Sequence, residues 1–199
     1  MRRWHGWAMM AAIVASAPAV AQQFMSDSYG FLKAVRDRDG AKVQEALDKP
    51  GSTILTSRES ATGETALHIV TKRRDGTYAQ VFLSRGADID ARDRQGLTPL
   101  ADAAQLGWVE GVQLFLGRGA RVDLADDRGE TPLILATQAR SLPVAKVLLD
   151  AGADPRATDS VAGMSAIDYA RRDGRSEALL RMLETTPPKP KRSIAGPPR

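Results

Sequence analysis

Cysteine is absent from all 199 residues, histidine occurs only twice, and aromatic side chains make up 5% of the chain. The lack of cysteine excludes disulfides, thiolate metal sites, a cysteine nucleophile and a lipid-modified N-terminus of the bacterial kind. A small exported fold without disulfides has to be held by packing alone. The 17 glycines never form Gly-x-Gly-x-x-Gly or a Gly-Lys-Ser/Thr loop, so no phosphate-cradling motif is present. A strongly basic body is missing too. Net charge is +4, but with Arg2, Arg3, Lys189, Lys191, Arg192 and Arg199 set aside, 22 basic residues face 24 acidic ones between Gln22 and Thr186. That body carries no electrostatic footprint for nucleic acid. At 43% hydrophobic residues, the chain has enough apolar mass for one domain with a sizeable interior.

Residues 1–21 have the layout of a secretory signal. Arg2 and Arg3 supply a positive start, Trp7 to Val20 is apolar and uncharged, and Ala19-Val20-Ala21 offers the small residues a signal peptidase needs. Cleavage is expected between Ala21 and Gln22. The competing role, an uncleaved membrane anchor, is disfavoured by length, since about 14 residues rise about 21 Å as a helix against roughly 30 Å of hydrocarbon. No stable membrane insertion is expected after cleavage, and the expected address is periplasmic or secreted. A eukaryotic secretory route fits the same segment.

Beyond the signal the chain repeats itself. Gly63, Gly96 and Gly129 are spaced by 33, with Gly163 one residue late, and Gly86, Gly119 and Gly152 form a second series with the same step. Each member of the first series precedes a shared motif: Thr65-Ala66-Leu67-His68, Thr98-Pro99-Leu100-Ala101, Thr131-Pro132-Leu133-Ile134 and Ser165-Ala166-Ile167-Asp168. Members of the second series open Gly-Ala-Asp or a close variant, as in Gly86-Ala87-Asp88 and Gly152-Ala153-Asp154. Two registers sharing one period are the signature of a repeat architecture. Thr98-Pro99 and Thr131-Pro132 read as helix starts, threonine capping and proline at the first helical position, where its missing N–H costs nothing. Leu100, Ala103 and Ala104 form a packing face, Val112, Leu114, Phe115 and Leu116 a second one, and Gly119 ends the second helix.

These motifs resemble the ankyrin repeat over about Tyr29 to Glu184. The resemblance implies an all-α solenoid of stacked helix pairs with β-hairpin-like loops. The expected organisation is a signal at 1–21, a short linker at 22–28, an N-terminal helical cap with an insertion at 29–61, repeats at 62–92, 93–125 and 126–158, a capping repeat at 159–186 and a disordered basic proline-rich tail at 187–199. The charged residues of the last helix pair, among them Asp168, Arg171, Arg172, Asp173, Arg175, Glu177, Arg181 and Glu184, are expected on a polar outer face, because nothing stacks beyond a terminal repeat. Arg74 stands where the family has glycine, so the loop Arg73 to Thr77 is expected to be irregular.

The resemblance also places His68, the single histidine past the signal, as a bond between neighbouring loops. No imidazole is then left for a zinc site or a catalytic triad, and neither metal nor cofactor is expected. Asp88 with Asp90, and Asp126 with Asp127, fall at repeat turns, where aspartate closes a turn through its own side chain. What the family leaves free is a concave strip of loop tips and first-helix ends. Here that strip reads Lys72, Arg73, Arg92, Arg94, Gln95, Leu97, Gln105, Leu106, Asp127, Arg128, Glu130, Gln138 and Ala139, basic at the end of repeat one and mixed in the middle. Trp108 has two readings, an interface anchor or an amphipathic ring covering the groove between repeats. The implied activity is capture of a protein partner by a monomer. A carboxylate-based hydrolase acting on cell-envelope material and a self-assembling structural protein are the alternatives.

Overall fold

The structure, a computed structural model, describes residues 17–50 and 53–187, with side chains from residue 27 onward. Ten α-helices follow one another among the described residues: α1 (Ala17–Asp37), α2 (Gly40–Asp48), α3 (Ala66–Lys72), α4 (Gly76–Ser84), α5 (Pro99–Gln105), α6 (Val109–Gly117), α7 (Pro132–Gln138), α8 (Leu142–Asp150), α9 (Ala166–Asp173) and α10 (Glu177–Thr185). A 3-10 turn, Ile54–Thr56, lies between α2 and α3. The architecture is the expected all-α solenoid. Helices α3, α5, α7 and α9 stack in one layer, while α4, α6, α8 and α10 form the layer behind it. The hairpin-like loops are hydrogen-bonded turns, with a single bridge between Thr158 and Ser165 and no strand among the described residues.

Each repeat starts as its sequence dictates. The Thr98 hydroxyl accepts from the Ala101 amide and Thr131 from Ile134, at 3.2 and 3.3 Å, with proline following both. Capping of this kind contributes about 1 kcal/mol per helix, which matters for seven-residue helices too short to persist alone. Their remaining stability comes from burial: Leu67, Leu100, Leu133, Phe82, Phe115 and Leu148 are fully enclosed between successive pairs.

The loop tips lock the repeats in register. Asp93 closes its turn by accepting from the amides of Gln95 and Leu97, Asp126 from Arg128 and Glu130, and Asp159 from Val161, Ala162 and Met164. Each tip then donates one backbone N–H to the tip before it: Arg94 to the Thr62 carbonyl, Asp127 to Gln95 and Ser160 to Arg128, at 2.9, 3.0 and 2.8 Å.

Two sequence expectations are corrected, and the expected insertion is given a shape. Residues 22–28 belong to α1 and not to a linker; no glycine or proline interrupts Ala19 to Ser28, and the buried Ser28 hydroxyl accepts from Ser57, so the helix has a partner to run along. The loop at Arg74 is regular. Arg74 takes φ +56°, as Arg38 and Arg140 do at 60° and 55°, matching Gly107 at 66° in the next repeat, and the Asp75 amide closes it onto Val70 as Trp108 closes onto Ala103. The insertion after α2 folds back onto the cap: Ile54 is buried, and Arg58 donates to the Gly63 carbonyl. Of the expected signal, residues 1–16 lie outside the described residues.

Gly96 tests the tip lock. Its φ is +78°, and a Cβ there would stand 2.6 Å from the Asp127 amide nitrogen, the donor that joins the two tips. Gly86 shares the left-handed backbone at +87° with open space around it. Gly86→Ala is expected to cost about 1 kcal/mol from backbone strain alone. Gly96→Ala should cost roughly a further 1 kcal/mol as the inter-tip bond is displaced, measured by urea denaturation of both variants.

Candidate functional site

The surface on which a partner could dock is built by α3, α5, α7 and α9 and by the tips that precede them. His68, fully buried in α3, fastens its first two units. Its Nδ1 accepts from the Thr65 amide at 3.2 Å, leaving Nε2 to donate to the Leu97 carbonyl at 3.0 Å. Burial lowers its pKa, which keeps the ring neutral in that bridge.

The expected strip residues divide into three groups. Arg94, Gln95 and Gln105 are exposed, and no hydrogen bond or ion pair holds their side chains among the described residues. Arg92, Asp127, Arg128, Gln138 and Lys72 are accessible but partnered. Arg92 pairs with Asp127 across two tips at 3.0 Å, Arg128 lies 3.4 Å from Glu130, Gln138 donates to Glu130 at 2.6 Å and Lys72 reaches Glu64 at 2.5 Å. Ala139 is exposed at the end of α7.

The third group is withdrawn from the surface. Leu97 is buried in a small apolar cluster with Ala101 and Leu135, and Leu106 is half-buried against the core. Glu130, expected on the strip, is 3% exposed because its carboxylate turns inward to the side chains of Arg128 and Gln138. Arg73 donates to the Val35 and Arg36 carbonyls at the end of α1 and pairs with Asp75, so it joins the cap to repeat one. Trp108 is core: 7% exposed, edge-on to Phe115 and seated directly on Gly111, where any Cβ would strike the indole. The carboxylates at the repeat turns, and Asp48 at the end of α2, are occupied by turns and pairs. Asp88 accepts from the Asp90 amide, Asp90 from the Arg121 backbone and side chain, and Asp48 from Gln44 and Arg85.

Two features escaped the sequence reading. Asp102, in α5, fills the place that Ile69 and Leu135 fill in the flanking repeats, and it is 2% exposed. One of its oxygens lies 3.8 Å from Lys72 Nζ and the other has no partner. Burial pushes this carboxyl up to about 7 against the pull of Lys72, with the charges of Asp93 and Glu64 adding to the rise. At Lys72, burial opposes the ammonium, but the Glu64 hydrogen bond and the Asp102 and Glu64 charges outweigh it and the pKa rises. The signal for Asp102 was one acidic residue in a column that is apolar in the sister repeats.

The second feature is a cavity of about 570 Å³ between α7 and α9, lined by Arg128, Thr137, Gln138, Tyr169, Arg172, Asp173 and Arg175. Arg172, Asp173 and Arg175 thus face repeat three instead of the outer end of the stack. Helix α9 packs on α7 and α10 on α8, while Arg171 pairs with Glu184 between the two and Arg181 with Glu177 along α10. Among the described residues, no group of three or more metal-ligating side chains converges, and no helix is long and apolar enough to cross a membrane.

This geometry agrees with comparison to known proteins. The family model for ankyrin repeats matches in three overlapping copies, over residues 31–126, 67–159 and 109–188. The chain belongs to the ankyrin-repeat family, whose repeats are in general protein–protein interaction modules. Over 74 residues it is also similar to diacylglycerol kinase iota of Homo sapiens, at 35% identity, and to that of Rattus norvegicus, at 34%. Each match covers 37% of this chain and 7% of the kinase. The likeness is confined to the repeat region.

Asp102 generates a pH-dependent prediction. Its folded pKa lies above the unfolded value near 3.8, so the folded chain keeps a proton that the unfolded chain has released. Its contribution is fully favourable below about pH 4 and is lost as pH rises to about 7. The loss is on the order of 4 kcal/mol at most. Asp102→Asn should therefore stabilise the protein at pH 8 and change little at pH 4, as read from urea midpoints at both pH values. An equal shift at the two would rule out a buried carboxylate of raised pKa.

Proposed function

We propose that this chain is a non-catalytic binding module that holds a protein partner across its loop tips and first-helix ends, as a monomer, in the periplasm or outside the cell. The observation that carries the reading is a division of labour. Stacking, capping and inter-repeat bonds occupy most polar side chains of the repeats, whereas Arg94, Gln95 and Gln105 project from the strip with no side-chain hydrogen bond or ion pair among the described residues. Side chains with such freedom in an ankyrin stack are available to recognise another surface. A non-catalytic role is supported by the duties of Asp88, Asp90, Asp126 and Asp127, which close turns or pair with arginine. Export is supported by Arg2, Arg3, the apolar run and the Ala19-Val20-Ala21 site.

The partner surface is tested with Arg94→Glu and Gln105→Glu, which leave every bond of the stack in place. Arg128 is a poorer choice because its guanidinium offsets the buried Glu130. The double variant is expected to retain its melting temperature and to lose capture of the partner identified by affinity purification with the wild-type chain. Unchanged capture would remove this strip from the binding surface. For export, mass spectrometry of the protein collected outside the cytoplasm should find a mature N-terminus at Gln22. Recovery of the chain only in the cytosol, still beginning at residue 1, would contradict it.

A further inference from the structure

We propose that the cavity between α7 and α9 is an anchoring subsite for an acidic segment of the protein partner, whose aspartate or glutamate carboxylates are received by Arg172 and Arg175. The proposal rests on the protein-binding reading above and names the chemistry of the segment bound.

Charge accounting around the cavity leaves a surplus of two guanidinium groups. Two carboxylates are already matched: Asp173 accepts from Arg140 Nε and Nη2 at 3.0 and 2.6 Å, and Glu130 lies 3.4 Å from Arg128. Asp159 is matched as well, by the amides of its own tip and the Tyr169 hydroxyl, so its carboxyl stays below the usual range despite burial. Arg171, the neighbouring cation, is paired with Glu184 at 2.8 Å. Among the described residues, no carboxylate lies within 4 Å of the guanidinium of Arg172 or Arg175. Arg172 lies over the Tyr169 ring, 4.9 Å from its centroid, and its guanidinium donates to the Met164 sulfur. The ring contact restrains the group and leaves further N–H donors without a carboxylate, and a guanidinium fork is suited to binding one in pairs of hydrogen bonds.

Size and surroundings select the ligand. A cavity of about 570 Å³ is far larger than one small anion and matches a few side chains of a peptide. A nucleic acid would need cations along the whole strip, yet the middle of the strip carries Gln95, Gln105 and Asp127. The chain's own residues 188–199 contain Lys189, Lys191, Arg192 and Arg199 and no acidic side chain, so they cannot fill the cavity as its counter-charge. Arg128 and Gln138 belong both to this cavity and to the strip, which makes the subsite continuous with the proposed partner surface.

The test uses the full chain and fluorescein-labelled octaglutamate, with octaglutamine and an eight-nucleotide oligothymidylate as companion probes, read by fluorescence anisotropy. Octaglutamate is expected to bind, more weakly as salt rises, and octaglutamine to show no binding. Arg172→Gln and Arg175→Gln should each weaken octaglutamate binding about tenfold, the worth of one charge-assisted hydrogen bond. The Arg175 side chain forms no hydrogen bond or ion pair among the described residues and only adds to the field at Asp173, which Arg140 already holds, and thermal melts check Arg172→Gln for loss of its contact with Tyr169. Equal octaglutamate binding by wild type and the Arg172→Gln, Arg175→Gln double variant would overturn the subsite. So would oligothymidylate binding as tight as octaglutamate, or displacement of the peptide by inorganic phosphate at equal concentration. Partner capture separates this outcome from failure of the wider reading: capture lost in Arg94→Glu, Gln105→Glu but indifferent to Arg172→Gln, Arg175→Gln sinks the cavity and leaves the binding surface standing.

Discussion

The four repeats of this stack depend on one short backbone contact, the amide of a loop tip donating to a carbonyl of the tip before it. Arg94 bonds Thr62, Asp127 bonds Gln95 and Ser160 bonds Arg128. The bond fixes the translation between repeats, and the apolar layers then meet in register: Leu67 against the Leu100 level, Leu100 against Leu133. A single backbone hydrogen bond adds only about 1 kcal/mol net. Its leverage is geometric, because a helix pair of this size buries too little surface to fold alone and gains stability only when its neighbour is correctly placed. The Asp-x-x-Gly tips are therefore constrained twice, by aspartate closing the turn and by glycine permitting the approach.

A second set of bonds ties the repeats where the helices turn. Arg74 donates to the Leu106 carbonyl at 2.5 Å, and Arg140 grips Asp173, each from a left-handed backbone position and each reaching the following unit. Glycine would fill that position without strain, as Gly107 does. Arginine accepts the strain of roughly 1 kcal/mol and returns a bond across the interface. The cap is attached in the reverse sense, with Arg73 reaching back to the end of α1. His68 adds a buried side-chain bridge on the tip side, to Leu97, beside the Arg92–Asp127 pair.

The fold was legible in the sequence because its constraints are local and periodic: the two glycine series, the Thr-Pro starts and the position of each apolar residue all report on one 33-residue unit. The residues of the surface were less legible, for reasons that differ. Trp108 and Leu97 are apolar residues at positions the family exposes, and only the packing against Gly111 and Leu135 tells that they are enclosed. Glu130 and Arg73 carry the right chemistry for a surface but find partners inside it, which depends on rotamers and not on spacing. Arg172 and Arg175 were assigned to a solvated end because terminal repeats need one, yet each helix of the last pair also has a side that faces the preceding repeat, and these two residues lie on it. Residues 22–28 are supported by the Ser28–Ser57 bond, which joins positions far apart in the chain.

The distribution of spent and unspent charge gives the molecule a polarity opposite to the one its residue order suggests. Repeat one is rich in cations by count, but Lys72 is engaged with Glu64 and Asp102, Arg73 with α1 carbonyls, Arg74 with Leu106 and Arg85 with Asp48. Those bonds hold the cap and the first units together, and a partner would have to break them to use the charges. Surface ion pairs contribute little to stability individually, so their larger effect here is to remove donors from competition. At the other end Arg172 and Arg175 have no carboxylate to answer them, and the cavity they line opens onto the same strip as Arg128 and Gln138. On the proposed binding reading, recognition through charge would centre where repeat three meets the capping repeat, and Arg94 and Gln95 at a loop tip with Gln105 at the end of α5 would add contact area.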